Sequence, residues 1–159
     1  MAEVIQAAAT KYLLGLPEVV NAVGKFPTTL KPFIFRDEIL VNLEDGQYVA
    51  VSAIVVEDGG PLAVNTLTRF RARRLRITIW ANGTRDAIGN LINPGSVEDK
   101  INDTFLVLDK YMHRTDPHPI MWNTFPTIHC DRIGDLSEPV SITDGDGIKI
   151  ATVVYAVFF

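Results

Sequence analysis

Cysteine is almost absent from the sequence, with a single thiol among 159 residues. One cysteine cannot form an internal disulfide, so the composition excludes a small disulfide-stapled scaffold. Internal repeats and low-complexity tracts are also missing, and hydrophobic residues make up 47% of the chain. These features exclude a disordered or collagen-like protein. The length is typical of one domain with a sizeable core, and we expect a single domain over residues 1–159.

Long hydrophobic runs are lacking as well. The most apolar stretch, residues 148–159, is too short to cross a bilayer as a helix and contains Lys149. The first 14 residues have no basic start followed by an apolar run, so we expect no secretory signal. The sequence therefore predicts no membrane partner.

Motifs for catalysis and metal binding are missing. The sequence has no phosphate-binding glycine loop, no Gly-x-Ser-x-Gly motif and no His-Glu-x-x-His motif. His129 and Cys130 are adjacent on a predicted strand, so their side chains point to opposite faces and cannot readily share a metal. Residues 144–147 begin like a calcium loop but lack its closing glutamate. We expect no enzyme activity, no cofactor and no metal site.

Hydrophobic periodicity predicts four helices. An apolar stripe at helical spacing runs through residues 5–13. A short second helix is predicted over 17–23, with Gly24 as a left-handed stop. A third is predicted over 84–93 with a threonine N-cap, and a fourth, amphipathic helix starts at Ser96.

Alternating and continuous apolar runs predict strands. An Asp-Gly pair typical of a hairpin turn separates two of them, and a Gly-Gly-Pro breaker predicts a loop over residues 57–61. The predicted strands cover residues 33–36, 39–43, 47–56, 70–81, 122–133 and 148–159. This order of elements predicts an α+β fold with a mainly antiparallel sheet and helices packed on one face.

Two of these strands are apolar on both faces, namely residues 47–56 and the terminal strand. Such a strand must be covered on both sides, because an exposed one would be an aggregation hazard. Each is therefore either a central strand or an element covered by another subunit. Together the two strands favour an oligomer.

Positive charge is concentrated in one short segment. The formal net charge is -4. Since five arginines within eight positions carry +5, the other residues sum to -9. Three alternatives stay open for these arginines: pairing with nearby carboxylates on a solvated strand, contact with acidic groups of a neighbouring subunit, or phosphate binding.

Three segments together carry a family resemblance. They are the amphipathic first helix leading into LPEVVNAVG, the phrase RLRITIWANGTRDAIGNLI, and the hydrophobic closing strand. In this order they resemble the tail terminator (tail completion) proteins of long-tailed bacteriophages over nearly the whole chain. The likeness lies in the element order and in the strand–turn–helix phrase, whereas residues 57–68 and 131–147 match nothing in the family.

The resemblance implies a structural virion protein. Such proteins form a ring, usually of six, at the head-proximal end of the tail tube, where they stop tube polymerisation and present a surface to the head. The implied partners are further copies of the chain, the tail tube protein and the head–tail connector protein, with genome DNA passing through the channel without specific binding. The sheet would line or flank the channel, with the helices outside. The alternatives are another tail tube or connector component and a nucleic-acid-binding module that uses the arginines.

Candidate interface residues come from the two segments that stand out most. We expect the arginine-rich segment and the end of the terminal strand to make ring or tube contacts. These residues are Arg69, Arg71, Arg73, Arg74, Arg76, Tyr155, Val157, Phe158 and Phe159.

Overall fold

Within the described residues, three helices pack on one face of a six-stranded mixed sheet. The computed structural model describes residues 4–26, 28–38, 52–62, 71–85, 88, 91–92, 95–113, 118–122, 125–142 and 147–159. The helices are α1 (Ile5–Leu14), α2 (Pro17–Ala22) and α3 (Gly95–Met112). The strands are β1 (Ile34–Arg36), β2 (Ser52–Leu62), β3 (Ala72–Asn82), β4 (Thr84–Arg85), β5 (Leu91–Ile92), β6 (His118–Trp122), β7 (Phe125–Thr127), β8 (His129–Ile133), β9 (Val140–Ser141) and β10 (Ile148–Phe158).

The main sheet has the strand order β1-β2-β3-β10-β8, and β9 pairs with β10. Strand β1 runs parallel to β2, and the other pairs are antiparallel. The predicted α+β fold with a mainly antiparallel sheet is confirmed. The terminal strand β10 is interior, because β3 pairs with all 11 of its residues on one side and β8 and β9 pair with it on the other. A central position thus covers its backbone edges.

The core lies between the helices and the sheet. Helix α1 buries one stripe, and the predicted stripe of α3 is buried apart from Phe105, which is partly covered. Helix α2 ends at Ala22 because Val23 adopts extended backbone. Gly24 is not the left-handed stop that we predicted; its N–H donates to the Ser52 carbonyl, and its own carbonyl accepts from Phe33.

The loop predicted over residues 57–61 is wrong, because these residues belong to β2. The Gly-Gly-Pro signal instead marks a bulge in the pairing with β3, where the register shifts between Asp58 and Gly60. A Cβ on Gly59 would lie 2.8 Å from the Cβ of Arg74, so the two strands approach this closely only with glycine there. Gly60 has a φ of 91°, in the region that favours glycine.

The helix predicted over residues 84–93 is wrong at its ends, where β4 and β5 form an antiparallel pair. Pairing between the two segments prevails over their local helical signal. The same finding corrects the strand–turn–helix phrase of the family resemblance at these residues. Residues 122–133 are likewise not one strand: β6 and β7 form a hairpin that begins earlier, at His118, and a bend at Ile128 precedes β8. The predicted hairpin turn at residues 45–46 lies outside the described residues.

Candidate interaction surface

The arginine-rich segment divides between the two faces of the sheet. In β3, Leu75, Ile77 and Ile79 face the helices and are fully buried. Because side chains alternate along a strand, Arg74 and Arg76 lie on the opposite face. Arg71 directly precedes β3 and is exposed, whereas Arg69 lies outside the described residues.

Arg73 forms an ion pair with a carboxylate of its own chain. Its Nε lies 3.0 Å from both carboxylate oxygens of Asp58, and its Nη2 donates to Oδ2 at 2.6 Å. These bonds hold the pKa of the Asp58 carboxyl below its ordinary value, although burial opposes them, and they raise the pKa of Arg73. Arg73 therefore fits the alternative of a guanidinium that pairs with a nearby acid.

Arg76 and Arg74 are also held within the chain. The Arg76 Nε donates to Glu57 Oε2 at 2.9 Å, between residues directly opposite each other on β3 and β2. The Arg74 Nη1 donates to the Pro61 carbonyl at 3.1 Å. The Arg71 side chain has no ion pair with a described residue.

Tyr155 and Val157 lie on the helix-covered side of β10 and are fully buried. The Tyr155 hydroxyl donates to Asp109 Oδ1 at 2.8 Å, and Arg132 Nη1 donates to Asp109 Oδ2 at 2.9 Å. Burial, reinforced by Asp109, raises the pKa of Tyr155. The Tyr155 hydrogen bond joins α3 to the sheet. Tyr155 and Val157 both belong to the core and are not available to a partner in this fold.

Phe158 and Phe159 are half-buried at the end of the terminal strand. The Phe158 ring stacks on the His129 ring at a centroid distance of 4.2 Å, and His129 Nε2 lies 3.3 Å from Asp131 Oδ2. Phe159 exchanges two backbone hydrogen bonds of 2.9 Å with Arg71. The terminal strand therefore fixes the backbone from which the Arg71 side chain projects.

The sheet face opposite the helices, here called the open face, is covered only in part by the residues that the structure describes. Phe26, Phe33 and Phe35 form an aromatic cluster over β1 and the adjoining part of β2. At the far edge of this same face, Ile133 and Val140 are 42% and 61% exposed. The residues opposite them on β10, Val154 and Ile150, are only half-buried.

A groove of about 340 Å³ lies in the middle of the open face. The Oγ1 atoms of Thr78 and Thr152 are 3.4 Å apart on its floor. The groove is lined by three carboxylates and one guanidinium, together with Trp80 and aliphatic groups, so it is anionic. Its lining residues are Asp37, Glu38, Val55, Glu57, Arg76, Thr78, Trp80, Ile150 and Thr152.

Two of the carboxylates at the groove differ in whether they already have a partner within the chain. Asp37 has a φ of 71°, and its carboxylate accepts from Gln6 Nε2 at 3.3 Å and lies 3.6 Å from Arg36 Nε. Glu38 is exposed and has no ion pair with a described residue. Neither residue is recognisable as a site residue from the sequence, because a single acidic pair after a short strand carries no signal of its own.

Within the described residues, no group of three His, Cys, Asp or Glu side chains could hold a metal ion. Cys130 is buried, and desolvation, with the nearby Asp131 and Asp109 charges, raises the pKa of its thiol. A thiol in this setting stays protonated and unreactive near neutral pH. None of the described helices is long and apolar enough to span a membrane.

No protein-family model matches the chain, and no curated protein matches it.

Proposed function

We propose that the protein is a structural subunit of a phage tail. It forms a ring on the head-proximal end of the tail tube, ends tube polymerisation and prepares the tail for head joining. Its partners are further copies of the chain, the tail tube protein and the head–tail connector protein, and DNA passes through the ring without specific binding. The role is structural and not enzymatic.

The open face is the observation that carries this proposal. Three helices leave it uncovered, and it bears exposed apolar side chains beside an anionic groove. Exposed apolar side chains on one sheet face, with polar groups beside them, favour a protein contact there. The kind of assembly comes from the family resemblance. Strands β3 and β10 carry much of that resemblance, and they pair with each other along their full length.

Tube growth in the presence of the protein tests the proposal. Purified tail tube protein is polymerised with and without this chain, and the products are imaged by electron microscopy. We expect short tubes that carry one ring at one end, and discrete rings when the chain is imaged alone. Tubes of unchanged length with bare ends would contradict the proposal.

The same images distinguish the nearest alternative. A tube subunit would build long tubes by itself, whereas a terminator forms rings that stop growing. Long tubes from the purified chain alone would replace the terminator proposal with a tube role.

A further inference from the structure

We propose that the groove of the open face is a guanidinium-binding site that receives Arg71 of a second copy of this chain. This inference rests on the proposed ring and names the contact that joins neighbouring copies.

The groove has the chemistry that recognises a guanidinium. A guanidinium stacks on an indole face and forms charge-assisted hydrogen bonds with carboxylates. Trp80 supplies a half-buried indole, and Glu38 supplies an exposed carboxylate with no ion pair to a described residue. Glu57 is already engaged by Arg76, so Glu38 is the principal acceptor.

Of the described arginines in the arginine-rich segment, Arg71 is the one whose side chain has no partner among the described residues. Arg73 and Arg76 pair with carboxylates of their own chain, and Arg74 donates to a backbone carbonyl. Arg71 is exposed, and its two backbone hydrogen bonds to Phe159 fix its position beside the terminal strand. A fixed backbone lowers the entropy lost when the guanidinium is bound.

The two halves of the contact cannot meet within one chain. Arg71 directly precedes β3, and Trp80 of the groove lies nine positions further along the chain, within β3. At about 3.3 Å per residue this places the two backbones about 30 Å apart, beyond the combined reach of an arginine and a tryptophan side chain. The contact therefore joins different surfaces of two copies. Such a head-to-tail interface closes into a ring when the rotation between copies permits it.

Charge reversal tests the contact. Arg71→Glu and Glu38→Lys are prepared singly and together, and assembly is followed by analytical ultracentrifugation over a range of protein concentrations. We expect each single variant to weaken assembly about 100-fold, because it places like charges together. We expect the double variant, which restores opposite charges, to assemble within about tenfold of the wild type.

Two charge-matched controls keep the test specific. Lys11→Glu and Asp103→Lys reverse exposed charges on α1 and α3, on the other side of the sheet from the groove, and should assemble like the wild type. Circular dichroism checks that each variant is folded. Arg71→Gln and Glu38→Gln, which only neutralise the charge, should weaken assembly less than the reversals and serve if a reversed variant is unfolded.

The outcomes separate this inference from the proposed function. If the wild type forms rings and the single variants form them equally well, the Arg71 contact is wrong and the ring stands. A double variant that remains as weak as the single variants also overturns the contact. A wild type that stays monomeric, alone and with tail tube protein, overturns both.

Discussion

The two faces of the sheet show different uses of the same strand. On the covered face, Leu75 and Ile77 of β3 are fully buried against the helices. On the open face, Arg76 and Thr78 of the same strand line a groove with Trp80. The covered face therefore holds the larger part of the core, whereas the groove on the open face is the region that we propose for contact with a partner.

The largest expected difference between the faces is in the free energy of unfolding. Leu75→Ala removes a fully buried side chain and should cost about 3 kcal/mol, including the cavity that it leaves. Thr78→Ala on the open face should cost less than about 1 kcal/mol. Urea denaturation of the two variants measures both values. Equal losses would contradict the division between the faces.

The hydrogen bond between β10 and α3 should have the next largest effect on the free energy of unfolding. Tyr155→Phe removes the hydroxyl that donates to Asp109 and leaves one oxygen of a partly buried carboxylate without that donor. We expect a loss of about 1–2 kcal/mol. Thermal unfolding by calorimetry checks this, with Tyr111→Phe as a control because the Tyr111 hydroxyl donates to an exposed carboxylate of Glu18. Equal losses for both variants would show that burial of the Asp109 site has no effect.

Lys100, on α3, should make the free energy of unfolding depend on pH. Its Nζ donates to the Asn82 carbonyl at 2.8 Å, and burial lowers its pKa from 10.5 to about 8. Between these two values the unfolded chain binds more protons than the folded one, so the contribution of Lys100 to stability rises with pH. After allowance for the exposed part of the side chain, this rise is about 1 kcal/mol.

Lys100→Met should remove the rise, since methionine has no charge to bury. Urea denaturation at pH 7.5 and pH 10.5 compares this variant with the wild type and with the exposed-site control Lys11→Met. If Lys100→Met and Lys11→Met have the same pH dependence, the amine of Lys100 is not desolvated in the folded protein.

The smallest expected effect lies on the open face. The Arg76–Glu57 pair has side chains that are 51% and 30% exposed. A double-mutant cycle with Arg76→Ala and Glu57→Ala should give a coupling energy below about 1 kcal/mol that declines with added salt. A salt-independent coupling of several kcal/mol would mean that the open face stabilises the fold after all.

The elements that follow from local pattern were predicted well. The apolar stripes of α1 and α3 and the alternation in β3 depend on residues close in sequence, and all three elements are confirmed. The predictions over residues 57–61 and 84–93 failed because strand pairing there overrides a local sequence signal. A Gly-Gly-Pro breaker and a threonine N-cap are local signals; the pairing of β2 with β3 prevails over the first, and the pairing of β4 with β5 prevails over the second.

The candidate surface was predictable only in part. The concentration of arginines was visible in the sequence, but the acids that neutralise Arg73 and Arg76 are 15 and 19 positions away and reach them only through the pairing of β2 with β3. The burial of Tyr155 and Val157 depends on the placement of α3, which the apolar pattern of β10 does not reveal. The groove likewise depends on which strands are neighbours.

The molar mass of the protein in solution, measured by light scattering after size exclusion, tests the central claim most directly. The wild type is compared with Val140→Asp on the open face and with Leu106→Asp, an exposed apolar residue on α3. We predict a ring mass for the wild type and Leu106→Asp, and a smaller mass for Val140→Asp. One monomeric mass for all three proteins, at high concentration and with tail tube protein present, would contradict the account.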